Sequence, residues 1–208
     1  PRLRYVDQVT REMGLTILGG VPNLKKRKID PDHTTEVLEA FRTIRLNVVH
    51  AYGAAGPLTL TISSPGPGDG KSFVAANLAL SFSELGYRTL LVDGDIRRGS
   101  LHHLFDTERK PGLTDFLEGR LEQDSLIQQT RFKRLQLITS GSRLRHGPEL
   151  LGSPAMRQLL LGLLLMAVGY RSPQFLVCPF PTLFPPVQSC GPRMLPTRRP
   201  GPTYAHAR

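Results

Sequence analysis

The run "LTLTI" at 58–62 leads directly into "SSPGPGDGKS" and then into a periodic apolar stretch. No other feature constrains the chain as strongly. A short β-rich run bounded by turn residues predicts a buried strand over 58–62. Val74, Leu78, Phe82 and Leu85 then recur at helical spacing, and Gly86 closes that helix. The run "TLLV" at 89–92 predicts a second buried strand. Strand, glycine-rich loop, helix, strand is a βαβ unit, which commits the domain to a parallel sheet covered by helices.

The loop carries chemistry. Its glycines let successive backbone amides turn toward one point, and the helix that follows adds the partial positive charge of its N-terminus. Lys71 can reach the β- and γ-phosphates of a nucleotide, and the Ser72 hydroxyl can ligate Mg²⁺. The pattern G-x-x-x-x-G-K-[ST] asks for glycine at 65, where this chain has Pro65. The flanking strand and helix outweigh that mismatch. A second element, "LLVDGDIRR", ends a buried strand in Asp93 and Asp95. Carboxylates at the carboxyl end of a parallel strand face the ligand crevice, so both acids are candidates for metal or catalytic work. His102 and His103 are adjacent and read as surface or core-edge residues.

Upstream, Val37, Phe41, Ile44 and Val48 mark one apolar stripe of a helix, with Thr34 or Thr35 as its cap. Downstream, a helix is expected around 113–117, a strand over 135–139, and helices beginning at Pro148 and Pro154, the latter capped by Ser153. The apolar run 159–168 is too short to cross a bilayer.

Charge separates the front of the chain from its end. The net charge is +10, yet no Asp or Glu follows Glu149, while six arginines do. The basicity therefore belongs mainly to the end, and nucleic acid is not an expected partner. Nine of the 18 prolines lie within 171–208, where neither strand nor helix pattern is legible. The expected organisation is a membrane-proximal linker over 1–30, an incomplete P-loop domain over 31–165, and a Pro/Arg-rich disordered or out-of-frame tail over 166–208.

From about Val6 to Leu160 the chain resembles the cytoplasmic domain of bacterial tyrosine kinases of capsular and exopolysaccharide assembly. "SSPGPGDGKSFVAANLA" resembles their Walker A motif and "LLVDGDIRR" their Walker A′ motif. "EAFRTIRLN" matches their E-x-x-R-x-x-R segment, while "PGLTDFLEG", "GPELLGSPAMRQLL" and "MGLTILGGVP" match further segments. The fold so implied is α/β: a P-loop NTPase-like three-layer domain with a mainly parallel sheet, here truncated and followed by an irregular tail. The implied activity is autophosphorylating, non-specific protein-tyrosine kinase activity that regulates polysaccharide synthesis and export.

The resemblance assigns nucleotide binding to Gly66, Gly68, Asp69, Gly70, Lys71, Ser72 and Phe73. Catalysis falls to Lys71, Asp93 and Asp95, with Mg²⁺ on Ser72, Asp93 and Asp95. ATP and Mg²⁺ are the implied cofactors. The implied partners are sister subunits in a ring through Glu39, Arg42 and Arg45, a membrane polysaccharide co-polymerase, and tyrosine-containing proteins, at the cytoplasmic face of the inner membrane. ParA- and MinD-type ATPases are the nearest alternative, but their signature lysine corresponds to Gly66. The family next requires a Walker B strand ending in Asp-[ST]-Pro-Pro, where this chain has "LLMAVGYRSPQFLV". That departure keeps open a catalytically inactive nucleotide-binding fragment.

Overall fold

The computed structural model describes residues 6–23, 31–53, 57–144, 148–169 and 174–179. In chain order the elements are α1 (Val6–Met13), α2 (Pro31–Tyr52), β1 (Leu58–Ile62), α3 (Lys71–Glu84), β2 (Arg88–Val92), α4 (Leu101–Phe105), α5 (Leu113–Leu117), β3 (Gln128–Gln129), β4 (Leu135–Ile138), α6 (Pro148–Leu151), α7 (Pro154–Gly169) and β5 (Gln174–Pro179). The sheet order is β1-β5-β2-β4-β3, with β1, β5, β2 and β4 parallel and β3 antiparallel at the edge.

Both faces of this sheet are covered at β2 and β4, while β1 leaves Thr59 and Thr61 exposed. Leu91, Leu135 and Leu137 pack on α3 and α4, while Val92 and Ile138 pack on α5 and α7. This is the strand alternation of a sheet held between helical layers. The stripe Val37, Phe41, Ile44 and Val48 is buried against Leu78 and Phe82 of α3, so α2 adds a further helix outside the sheet. Gly86, at φ +95°, closes α3: its amide donates to Ser83 O, and that of Tyr87 donates to Phe82 O. This is the paired bonding of a glycine-terminated helix. The Ser153 hydroxyl accepts the Met156 amide at 3.3 Å, as expected of a cap.

Three expectations are corrected. Helix α2 begins at Pro31, so Thr34 and Thr35 lie within it rather than at its cap. Leu85 closes the sequence stripe of α3 but is exposed, because the chain has already turned toward Gly86. The largest correction concerns 166–208. Helix α7 continues to Gly169, across the expected boundary at 165. Gln174–Pro179 then forms the strand between β1 and β2, pairing Leu60 with Val177 and Leu90 with Leu176. A central strand needs no apolar/polar alternation, and the flanking prolines masked this one. The rest of the expected tail lies outside the described residues, as do residues 1–5 and 24–30 of the expected linker.

Candidate functional site

The loop 63–70 joins β1 to α3. Gly68 and Gly70 adopt φ of +81° and +93°, a region that disfavours any side chain with a Cβ. The Asp69 carboxylate braces the loop by accepting the Gly66 amide at 2.7 Å. No side chain caps α3 at Gly70. Lys71 Nζ donates to Ser64 Oγ at 3.2 Å and to Gly66 O at 3.3 Å. Both contacts are long and neutral, and no carboxylate lies within ion-pair distance of Lys71 among the described residues. A partly buried ammonium beside an uncapped helix N-terminus is arranged to receive an anion.

A cleft of about 520 Å³ opens here, with Gly68, Gly70, Lys71, Ser72 and Phe73 on one wall and Asp95, Arg97, Arg98 and Ser100 on the other. Ser72 and Asp95 supply the hard oxygen donors that suit Mg²⁺, which binds through one or two protein groups plus phosphate oxygens. Lys71, Arg97 and Arg98 supply the positive charge for phosphate. These residues therefore fit a Mg²⁺-nucleotide. The Phe73 ring also meets Phe41 of α2 edge-on, with centroids 5.8 Å apart.

The two acids after β2 have different surroundings. Asp93 is fully buried behind the cleft wall. Its Oδ2 accepts the Leu101 amide at 3.1 Å and its Oδ1 accepts the Asp95 amide at 3.2 Å. Burial raises its carboxyl from 3.8 to about 6, against the opposing pull of those amides. Asp93 thus ties the start of the 94–101 loop to its end and does not face the cleft, which corrects its expected place beside Asp95. Asp95 is on the wall, and its Oδ1 accepts the Arg98 amide at 2.9 Å.

Among the remaining expected residues, Gly66 and Asp69 shape the phosphate loop from outside the cleft lining. Glu39 and Arg42 form an exposed ion pair on α2. Arg45 departs from them: it is buried, donating from Nη1 to Ser81 O at 2.6 Å and to Ser81 Oγ at 2.8 Å. The three residues therefore do not form one outward face. Arg98 and Ser100 were not singled out from sequence; for Arg98 the basic pair Arg97-Arg98, one residue beyond Asp95, was the available signal.

No family model matches the chain. It is 32% identical over 168 residues to the tyrosine-protein kinase ptk of Acinetobacter johnsonii, an alignment covering 74% of this chain and 23% of that protein. It is similar to the chimerical protein CapA2B2 at 31% identity and TM-score 0.67, covering 85% of this chain and 76% of that one. The kinase domain of the Escherichia coli tyrosine kinase ETK superposes at TM-score 0.71 with 25% identity, over 86% of this chain and 74% of that one. The chain thus spans under a quarter of the Acinetobacter protein.

Proposed function

Because the chain belongs to the family of bacterial tyrosine-protein kinases, we propose that its cleft binds Mg·ATP and transfers the γ-phosphoryl group to tyrosine, chiefly on sister subunits. One observation carries this reading: Lys71 and Ser72 at the start of α3 face Asp95, Arg97 and Arg98 across a single cleft. Bound Mg·ATP supplies the phosphoryl group and a cation that neutralises charge on it. The amides of the 66–72 loop and Lys71 orient the phosphates. The Ser72 hydroxyl and Asp95 hold the cation, and Asp95 is also the better placed of the two acids to accept the tyrosine proton. Asp93 keeps the opposite wall in register.

The pathway follows the relatives. Those that match include the putative CapB of Staphylococcus aureus and the putative EpsB of Ralstonia solanacearum, named as tyrosine-protein kinases. We place this chain in capsule or exopolysaccharide synthesis and export, at the cytoplasmic face of the inner membrane beside a polysaccharide co-polymerase. The exposed Glu39–Arg42 pair is its surface for ring assembly. No described helix is long and apolar enough to cross a membrane.

A second reading has its own support. Strand β5 reads Gln-Phe-Leu-Val-Cys-Pro and brings no carboxylate between β1 and β2. A chain that binds nucleotide and transfers little or nothing is the consequence. The two readings part on one experiment: incubation with Mg·ATP, followed by phosphotyrosine detection and a parallel measurement of nucleotide affinity. Binding with phosphotyrosine supports the kinase, and binding alone supports the inactive form. No binding overturns both.

A further inference from the structure

Behind the wall that carries Asp95, Arg97 and Arg98 lies a polar cluster with no part in the site described above. Arg109, on the segment between α4 and α5, donates from Nε to Gly141 O at 2.7 Å and from Nη1 to Gly99 O at 3.2 Å. Its own carbonyl accepts the Thr139 hydroxyl at 2.8 Å. The side chain therefore bridges two loops: 94–101, which leaves β2, and 139–142, which leaves β4. Its Nη2 is buried with no acceptor among the described residues. A guanidinium held half-buried with an unsatisfied donor bears a desolvation cost, and the two carbonyl bonds are what oppose it.

The space around Gly99 is full. A Cβ at that position would stand 2.2 Å from Ser140 Oγ and 2.8 Å from Asp93 Oδ2. The loop is thus pressed against the end of β4 and cannot move inward. Asp93 holds its ends, through the amides of Asp95 and Leu101. Among the described residues, the hydrogen bond from Arg109 to Gly99 O is the one that reaches its middle from another loop.

We propose that Arg109 is a positioning residue for the nucleotide cleft, fixing the 94–101 loop so that Asp95, Arg97 and Arg98 stay opposite the phosphate loop. This rests on the nucleotide reading for its consequence but not for its geometry. Among the described residues, Arg109 makes no hydrogen bond to the phosphate loop or to a residue lining the cleft. Its loss should therefore act on the Asp95 wall and spare the Lys71 wall.

The test uses the full chain with Arg109→Met and the milder Arg109→Lys, whose ammonium cannot reproduce the two-pronged bridge. Hydrogen exchange over 94–101, without nucleotide, reads the positioning itself. We expect exchange to accelerate about tenfold in Arg109→Met and less in Arg109→Lys, with α3 unchanged. Unchanged exchange at 94–101 overturns the proposal whether or not the chain binds nucleotide. ADP affinity, measured with and without Mg²⁺, reads the consequence. The Mg²⁺-dependent gain should shrink about tenfold while affinity for ADP alone is kept; an equal loss in both would mean a general structural role and overturn the proposal. If the unmodified chain binds no ADP, the nucleotide reading fails, and the exchange result still decides the role of Arg109. Should Arg109→Met not fold, Arg109→Lys carries both measurements.

Discussion

Arg45 and Ser81 are 36 residues apart in sequence, yet the guanidinium of one donates to both the carbonyl and the hydroxyl of the other. This contact pins α2 to α3, the helix that begins with Lys71 and Ser72. The Phe41–Phe73 ring pair makes a second link between the same helices, nearer the cleft.

Arg45 and Arg42 should therefore behave differently. Arg45→Ala leaves the Ser81 groups without their donor and removes buried side-chain stem, so a loss of about 2–4 kcal/mol is expected. Arg42→Ala breaks only an exposed pair and should change stability by less than about 1 kcal/mol. Denaturant unfolding of the two variants checks this. Equal effects would contradict the burial of Arg45. Charge reversal at Arg42 alone is the clean probe of self-association on size-exclusion chromatography, since reversal at Arg45 would disturb the fold.

Lys71 and Asp95 should separate nucleotide binding from metal use. Lys71→Met should weaken ADP binding tenfold or more, about 1.4 kcal/mol, with or without Mg²⁺. Asp95→Asn should leave the metal-free affinity nearly intact and reduce the gain that Mg²⁺ provides. Calorimetric titration of both variants decides the matter. Loss of metal-free binding in Asp95→Asn would remove the division of labour between the two walls.

Asp93 gives the chain a pH dependence with a definite sign. Its carboxyl is raised by burial from 3.8 to about 6, so the folded chain keeps a proton that the unfolded chain releases earlier. That stabilisation is full below about pH 4 and is lost as pH rises through 6; its size is on the order of 3 kcal/mol. Asp93→Asn cannot titrate. The unfolding free energy of the unmodified chain, less that of Asp93→Asn, should fall by roughly 2–3 kcal/mol between pH 4 and 7. A flat difference across that window would mean that Asp93 is not buried as described.

Gly99 and Gly152 should differ as sites for alanine. A Cβ at Gly99 meets Ser140 Cβ at 2.5 Å as well as its hydroxyl, and one at Gly152 meets only Glu149 O at 3.6 Å. Gly99→Ala is expected to cost more than about 2 kcal/mol through overpacking, and Gly152→Ala less than about 1. Thermal melts of the two variants suffice, and an ordinary melt for Gly99→Ala would refute the close packing behind the cleft.

The parts legible in the sequence were those where one physical rule acted alone. The stripe of α2 read correctly because burial on one side dictates each residue type; β1 read correctly as a strand but not as a buried one, since it ends the sheet and leaves Thr59 and Thr61 exposed. Spacing from Glu39 and Arg42 puts Arg45 on their face, whereas spacing from Phe41 and Val48 puts it on the apolar face. At i+4 from one and i−3 from the other, it lies within the buried stripe, where a long amphipathic side chain can be accommodated. Asp93 and Asp95 look equivalent in a strand-end pattern. The turn at Gly94, where the Ile96 amide donates to Gly94 O, reverses the chain and leaves one acid inside and the other out. β5 was hidden by prolines at 173, 179 and 181, and its partners lie more than 80 residues away in the chain.

That last separation sets an order of events during synthesis. β1 and β2 are made early, but β5 stands between them and is the last described strand to leave the ribosome. Until residues 174–179 have emerged, neither inner edge has its partner, and the joining of β1 to β2 through β5 cannot be completed. The nascent chain must hold two open edges apart while about ninety residues are added, a delay that favours slow closure and leaves the growing domain exposed to wrong strand pairing.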